Sequence, residues 1–288
     1  MIAQNTKLTL AYDGTNYAGW QIQPDEPTVQ AVLQDALKEL FGTKLSVLSA
    51  GRTDAGVHAA GQVANFRHDH TIPHDGVLLG LNTHLPPDVA VLAVEDVPHD
   101  FHATHDATTK TYRYVFHDGT ARDPLSARFT GRAKRPLDAD LMGEAAKHIV
   151  GRHDFACFET QGSPRPDTVR TVFDCTVRRV AAWNPFRPDK SPSGHAKGMR
   201  PDDSSDPSRD RSGFDTQGVQ PFVVIEVAGD GFLYNMVRAI AGTLADVGGG
   251  KRPPESVRAL IASTDRTLAG PTAPASGLCL VAVRYDDA

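Results

Sequence analysis

Polar and apolar side chains alternate from Thr6 to Tyr12, the period-two pattern of a half-buried strand. Asp13-Gly14-Thr15-Asn16 then reads as a turn. From Thr28 to Phe41 the period changes to that of a helix. Val29, Val32, Leu33, Ala36, Leu37, Leu40 and Phe41 share one face, while Gln34, Asp35, Lys38 and Glu39 take the other. Pro27 precedes this helix, Thr28 is its candidate N-cap, and Gly42 stops it. Strand-like runs follow at Lys44 to Ala50 and Gln62 to Arg67. A short helix after Pro73 carries Leu78, Leu79 and Leu81 and ends before Pro86-Pro87, and a strand runs from Val89 to Val97. The order is β-α-β-β-α-β, the ferredoxin-like pattern.

The same order recurs. A strand spans Thr109 to His117, and a helix spans Asp138 to Val150 with Asp138 as cap and Gly151 as stop. Strands at Thr171 to Val180 and Phe222 to Ala228 precede a helix from Leu233 to Val247, closed by three glycines. A small helix at Glu255 to Ser263 and a strand at Leu278 to Tyr285 finish the chain. These elements predict an α+β fold of two ferredoxin-like halves, 1–104 and 105–288. Their antiparallel sheets are expected to join side by side, with helices on one side and a central cleft on the other. Four-stranded sheets of this topology also serve as RNA-binding platforms. Residues 184–220 are rich in Pro, Ser, Gly and Asp and nearly lack aliphatic side chains, which predicts a flexible insertion. Its charges roughly cancel, so it is not read as a basic RNA arm.

Composition narrows the class. Of 288 residues, 40% are hydrophobic and 23% charged, ordinary for a soluble globular protein. Three distant cysteines without a CxxC spacing suggest neither a disulfide framework nor a zinc site, so a reducing cytoplasm is expected. The first residues lack the basic-then-apolar order of a signal peptide, and no apolar run reaches membrane-spanning length. The net charge of −5 does not advertise a nucleic-acid partner. Phosphate binding needs only a local patch, however, and residues 105–135 hold seven basic side chains against three acidic ones. His99, His102 and His105 tempt as metal ligands. In an extended segment that spacing alternates faces, so no metal site is expected.

The candidate chemistry gathers in Ser49 to Ala59, SAGRTDAGVHA. Gly51 and Gly56 bracket Arg52, Thr53 and Asp54. Glycines permit left-handed dihedrals and close backbone approach, so a carboxylate and a guanidinium could face one small volume. The plain alternative is a loop tip in which Asp54 caps its own turn and Arg52 is solvated.

GRTDAGVHA does not stand alone. YDGTNYAGWQIQ, NTHLPPDV, DFHAT, KTYRY, GDGFLYNMVRAIAG and APASGLCL lie elsewhere along the chain. In this order and with these residues the chain resembles the tRNA pseudouridine synthase A family. The resemblance implies an isomerase that converts uridine to pseudouridine in the anticodon stem-loop of tRNA, working as a cytoplasmic homodimer without cofactor or metal. It makes Asp54 the catalytic carboxylate, attacking C1′ or removing a C2′ proton, and Arg238 its ion-pair partner. Tyr112 would stack on the uracil first and handle a proton second. Arg52 would hold phosphate or a flipped base, Lys110 and Arg113 would hold phosphates, and His58 and Leu278 complete the substrate-binding set. Trp20 of the first motif is expected to be a core anchor. Thr104 stands where the family's DFHAR motif has arginine, so one phosphate contact is not carried over. The competing readings are an RNA-binding protein without catalysis on the same two sheets, and a metal-dependent hydrolase using the histidines.

Overall fold

The computed structural model describes residues 4–160, 167–181 and 221–286. The insertion expected at 184–220 lies outside the described residues. Among the described residues, ten strands form one sheet with five α-helices around it. The first half runs β1 (Gln4–Tyr12), α1 (Val29–Phe41), β2 (Val47–Ser49), β3 (His58–His68), α2 (His74–His84) and β4 (Val89–Val97). The second runs β5 (Ala107–His117), β6 (Gly131–Arg132), α3 (Ala139–Ala146), β7 (Gly151–Asp154) and β8 (Val169–Val180). It ends with β9 (Phe222–Gly229), α4 (Met236–Gly248), α5 (Ser256–Ser263) and β10 (Leu278–Tyr285).

The strand order is β4-β1-β3-β10-β5-β9-β8-β7, with β2 on β3 and β6 on β5. Every pairing along this path is antiparallel except β3 with β10, which is parallel and two residue pairs long, Cys279 opposite His58 and Leu280 opposite Ala59. Both β2 and β10 pair with β3. β2 opposes Ala64 to Phe66, while β10 takes His58 and Ala59. The strand expected over Lys44 to Ala50 is correspondingly cut to three residues.

One large apolar cluster joins both halves. Leu8 and Leu10 of β1, Leu33 and Leu37 of α1, Tyr114 of β5, and Ile240 and Leu244 of α4 are all buried in it. At ~25 cal/mol per Å² of apolar area, burial of this kind is the main force set against chain entropy. Helix α1 ends as expected at Gly42, whose φ is 72°. At its start Thr28 occupies the cap position, but its hydroxyl makes no capping bond and is buried without a partner. Asp138 does cap α3, accepting from Asp140 and Leu141 N–H. That helix stops at Ala146 rather than near Gly151, which instead opens β7 at φ 120°.

Candidate active site

Two loops build the site, and they touch through backbone. The loop from Asp13 to Trp20 lies on the loop from Ala50 to Val57. A Cβ on Gly14 would stand 2.0 Å from the Val57 carbonyl oxygen, and one on Gly19 would stand 2.6 Å from that of Thr53. Gly19 also sits at φ 106°, which side chains of L-residues avoid. Hydrogen bonds lock the contact. Trp20 N–H donates to the Thr53 carbonyl at 3.0 Å, Gly56 N–H to Tyr17 at 3.2 Å, and the Tyr12 hydroxyl lies 2.8 Å from Thr53 Oγ1. Gln62 ties the loop to its strand by donating to the Gly51 carbonyl at 2.8 Å. Asp54 is therefore carried by a frame with few free dihedrals.

Its side chain is half-buried and faces a cleft of about 760 Å³. Arg238 Nη1 approaches Asp54 Oδ2 to 3.7 Å, an ion pair too long for a direct hydrogen bond. Arg238 is held from its own half: Nε donates to the Ala273 carbonyl at 2.7 Å and Nη1 to Asn235 Oδ1 at 2.7 Å. Burial raises the Asp54 carboxyl above its ordinary value, and the Arg238 charge only partly offsets this. The result is a half-buried carboxyl group with a guanidinium near it but no tight salt bridge.

Lys110 and Tyr112, two residues apart on β5, line the same cleft, as alternation requires. Lys110 Nζ leans over the motif loop, 3.8 Å from where a Cβ on Gly51 would stand. Tyr112 is nearly buried, with Phe232 edge-on to its ring at 5.2 Å. Burial, reinforced by the neighbouring Tyr12 and Asp54, pushes its phenol above the ordinary range. A neutral phenol faces the cleft, so the environment works against Tyr112 as a resting base. Arg52 is exposed at the mouth and Leu278 sits on the floor. Trp20 is the core anchor expected of it, 2% exposed and packed on Tyr12, and it also borders the cleft.

Three expectations are corrected. Arg113 does not reach the cleft. It points to the other face of β5, is buried, and donates from Nε and Nη2 to Glu226 at 2.9 and 2.7 Å, its direct neighbour on β9. His58 is also absent from the lining. It is buried where the halves meet, accepting from Gly14 N–H at 3.0 Å and placing Nε2 2.9 Å from the Arg128 carbonyl. The cleft does not open on a helix-free face either: Gln30 of α1 and Met236 and Val237 of α4 line it beside Lys110 and Tyr112.

Thr104, in the arginine's place, borders the cleft and donates to the Ser49 carbonyl at 2.5 Å, fastening the end of β2. The histidine segment is a turn rather than extended, so the His102 and His105 rings do approach, to 4.2 Å. Even so, no group of three or more His, Cys, Asp or Glu among the described residues could hold a metal ion. No described helix is long and apolar enough to cross a membrane. Asn235, bonded to Arg238 and lining the cleft, was not singled out by sequence. Its signal was its place in GDGFLYNMVRAIAG, three residues before Arg238.

A family model described as tRNA pseudouridine synthase matches residues 9–106 and 145–286. A tRNA pseudouridine synthase A of Pelobacter propionicus is 40% identical over 279 residues, 97% of this chain and 98% of that one. Those of Moorella thermoacetica and Clostridium acetobutylicum are 40% and 37% identical, over 97% and 98% of this chain and 98% and 100% of theirs. The aspartate-bearing loop and the arginine that meets it fall within the matched residues, Tyr112 lies between the two matched spans, and the chain belongs to the tRNA pseudouridine synthase family.

Proposed function

We propose that this chain isomerises uridine to pseudouridine in the anticodon stem-loop of tRNA, with Asp54 as the reacting carboxylate. The observation that carries this reading is the Asp54–Arg238 pair at the wall of an open cleft, beside the Tyr112 ring. The reaction breaks the N-glycosidic bond, turns the uracil over and joins C5 to C1′. Atoms are conserved, so no redox partner or water is consumed. The target nucleoside has to leave its helix to reach such a cleft, and an aromatic ring there stacks on the extruded base. The cleft volume of about 760 Å³ accommodates a nucleoside and its flanking phosphates. Arg52 and Lys110 at the rim supply phosphate contacts that position without reading sequence.

Each half is read as a ferredoxin-like unit, 1–104 and 105–288. The orders β4-β1-β3-β2 and β10-β5-β9-β8 support this, because each reads 4-1-3-2 in its own half. The anticodon stem-loop target, the homodimer and the cytoplasmic setting rest on the family resemblance. The test uses tRNA tritiated at uracil C5. Wild type is expected to release tritium with or without EDTA, and Asp54→Asn to release none. Binding without release by both proteins would instead favour the non-catalytic RNA-binding reading.

A further inference from the structure

We infer that Asn235 is a positioning residue that holds the Arg238 guanidinium back from Asp54 and so keeps the carboxylate available to substrate. Asn235 precedes α4 with φ 59° and ψ 7°, the left-handed region, one of three described non-glycine residues with positive φ. Few residues other than glycine adopt this conformation, asparagine most readily, and contacts around it hold it in place. Here the contacts are plain. The Asn235 amide donates from Nδ2 to Thr160 Oγ1 at 3.1 Å. Its orientation is also fixed by Arg238, which offers only donors, so Oδ1 must face the guanidinium.

The distances give the reason. Nη1 spends a 2.7 Å bond on Asn235 and lies 3.7 Å from Asp54. Nε is committed to the Ala273 carbonyl at 2.7 Å, and the Arg238 carbonyl accepts from Ala273 N–H at 3.1 Å. The guanidinium is thus anchored twice in the C-terminal half, about an ångström short of a direct bond to the carboxylate. A closed, two-pronged arginine–carboxylate pair would stabilise the anion and weaken it as nucleophile or base. Held off, Arg238 supplies field without occupying the oxygens. The other charged or titratable groups bordering this cleft are Arg52 on the same loop, Lys110 and Tyr112 on β5, and Tyr234 beside Asn235. Tyr12 touches the loop through Thr53, and Tyr114 lies within the field of Arg238.

This inference rests on Asp54 being the reacting group, and the test separates the two. Asn235→Gly suits the backbone and frees Nη1 to close on Asp54. Asn235→Asp keeps the shape and draws Arg238 toward a second anion. The acid limb of kcat/KM for tritium release is expected to move down for Asn235→Gly and up for Asn235→Asp, each by on the order of one pH unit. kcat is expected to fall about tenfold or more in the glycine variant. A residue that merely shapes the loop would move neither limb. Limbs that stay at the wild-type position, or move together, in variants that melt like wild type overturn the inference. If Asn235→Gly fails to fold, the Asn235→Asp limb decides alone. Turnover retained by Asp54→Asn would overturn the catalytic reading itself, and this inference with it.

Discussion

At the scale of single residues the site trades stability for reactivity. Burial lifts the Asp54 carboxyl above its ordinary value of 3.8 despite the opposing Arg238 charge. A group whose pKa is higher folded than unfolded favours folding fully below the unfolded value. That contribution is lost as pH rises through the folded value. Ionising Asp54 therefore works against the fold, and a neutral isostere removes that cost. Asp54→Asn is expected to melt higher than wild type at pH 7, by roughly 2 °C, the effect of about 1 kcal/mol in a chain of this size. The gap should close below the ordinary carboxylate range; calorimetry at both pH values checks it, and an equal gap at both would contradict the account. Sequence showed this residue readily, because a short glycine-bracketed motif is local. It showed Arg113 and His58 poorly. Whether an arginine meets phosphate or Glu226 depends on which strand lies alongside, and Glu226 is 113 positions away.

Among the elements, those with sequence-local causes were legible. Helix α1 follows from its apolar stripe, and β10 and β4 match their expected bounds to the residue. Helix α4 begins at Met236 rather than Leu233, since Asn235 takes left-handed dihedrals that no propensity argument foresees. The alternating run of β5 sent Lys110 and Tyr112 to the cleft and Arg113 away from it, yet alternation alone cannot say which face a cleft occupies. The loop pair that carries Asp54 makes an element-scale prediction. Gly19→Ala adds a Cβ 2.6 Å from a backbone oxygen at φ 106°, so the two loops must part. A loss of about 1–3 kcal/mol is expected, with kcat falling more than KM rises, because the frame rather than the binding rim is disturbed. Gly42→Ala is the control. It shares a positive φ of 72° but meets nothing within 4 Å, so a loss of about 1 kcal/mol with unchanged kcat is expected. Equal kcat losses in the two variants would refute the framing role.

At the scale of the whole molecule, the Asp54–Arg238 pair straddles a join. Asp54 hangs from the loop before β3, Arg238 belongs to α4, and among the described residues the sheet halves are joined by the two-pair parallel contact of β3 with β10. So short a parallel contact leaves no periodic mark in sequence, and it was not foreseen. His58 reinforces it from behind, and Asp13 adds an ion pair to Arg128 at 2.7 Å. The same geometry decides where RNA charge is met. With a net charge of −5, the chain cannot attract tRNA through its total field, so attraction has to come from the cleft rim. Arg52 is exposed there and makes no ion pair among the described residues, whereas Arg113 is consumed by Glu226 on the opposite face. Each phosphate neutralised contributes about 0.7–0.9 to the slope of log K against log salt. Arg52→Ala should therefore lower that slope by about this amount and weaken all tRNAs alike. Arg113→Ala should leave the slope unchanged while lowering the melting temperature, since it strands Glu226 at a cost of about 1–3 kcal/mol. Titrations of both variants with tRNA at several salt concentrations, beside their melting curves, distinguish the two arginines. A slope reduced equally by both would mean that the opposite face of β5 also touches RNA.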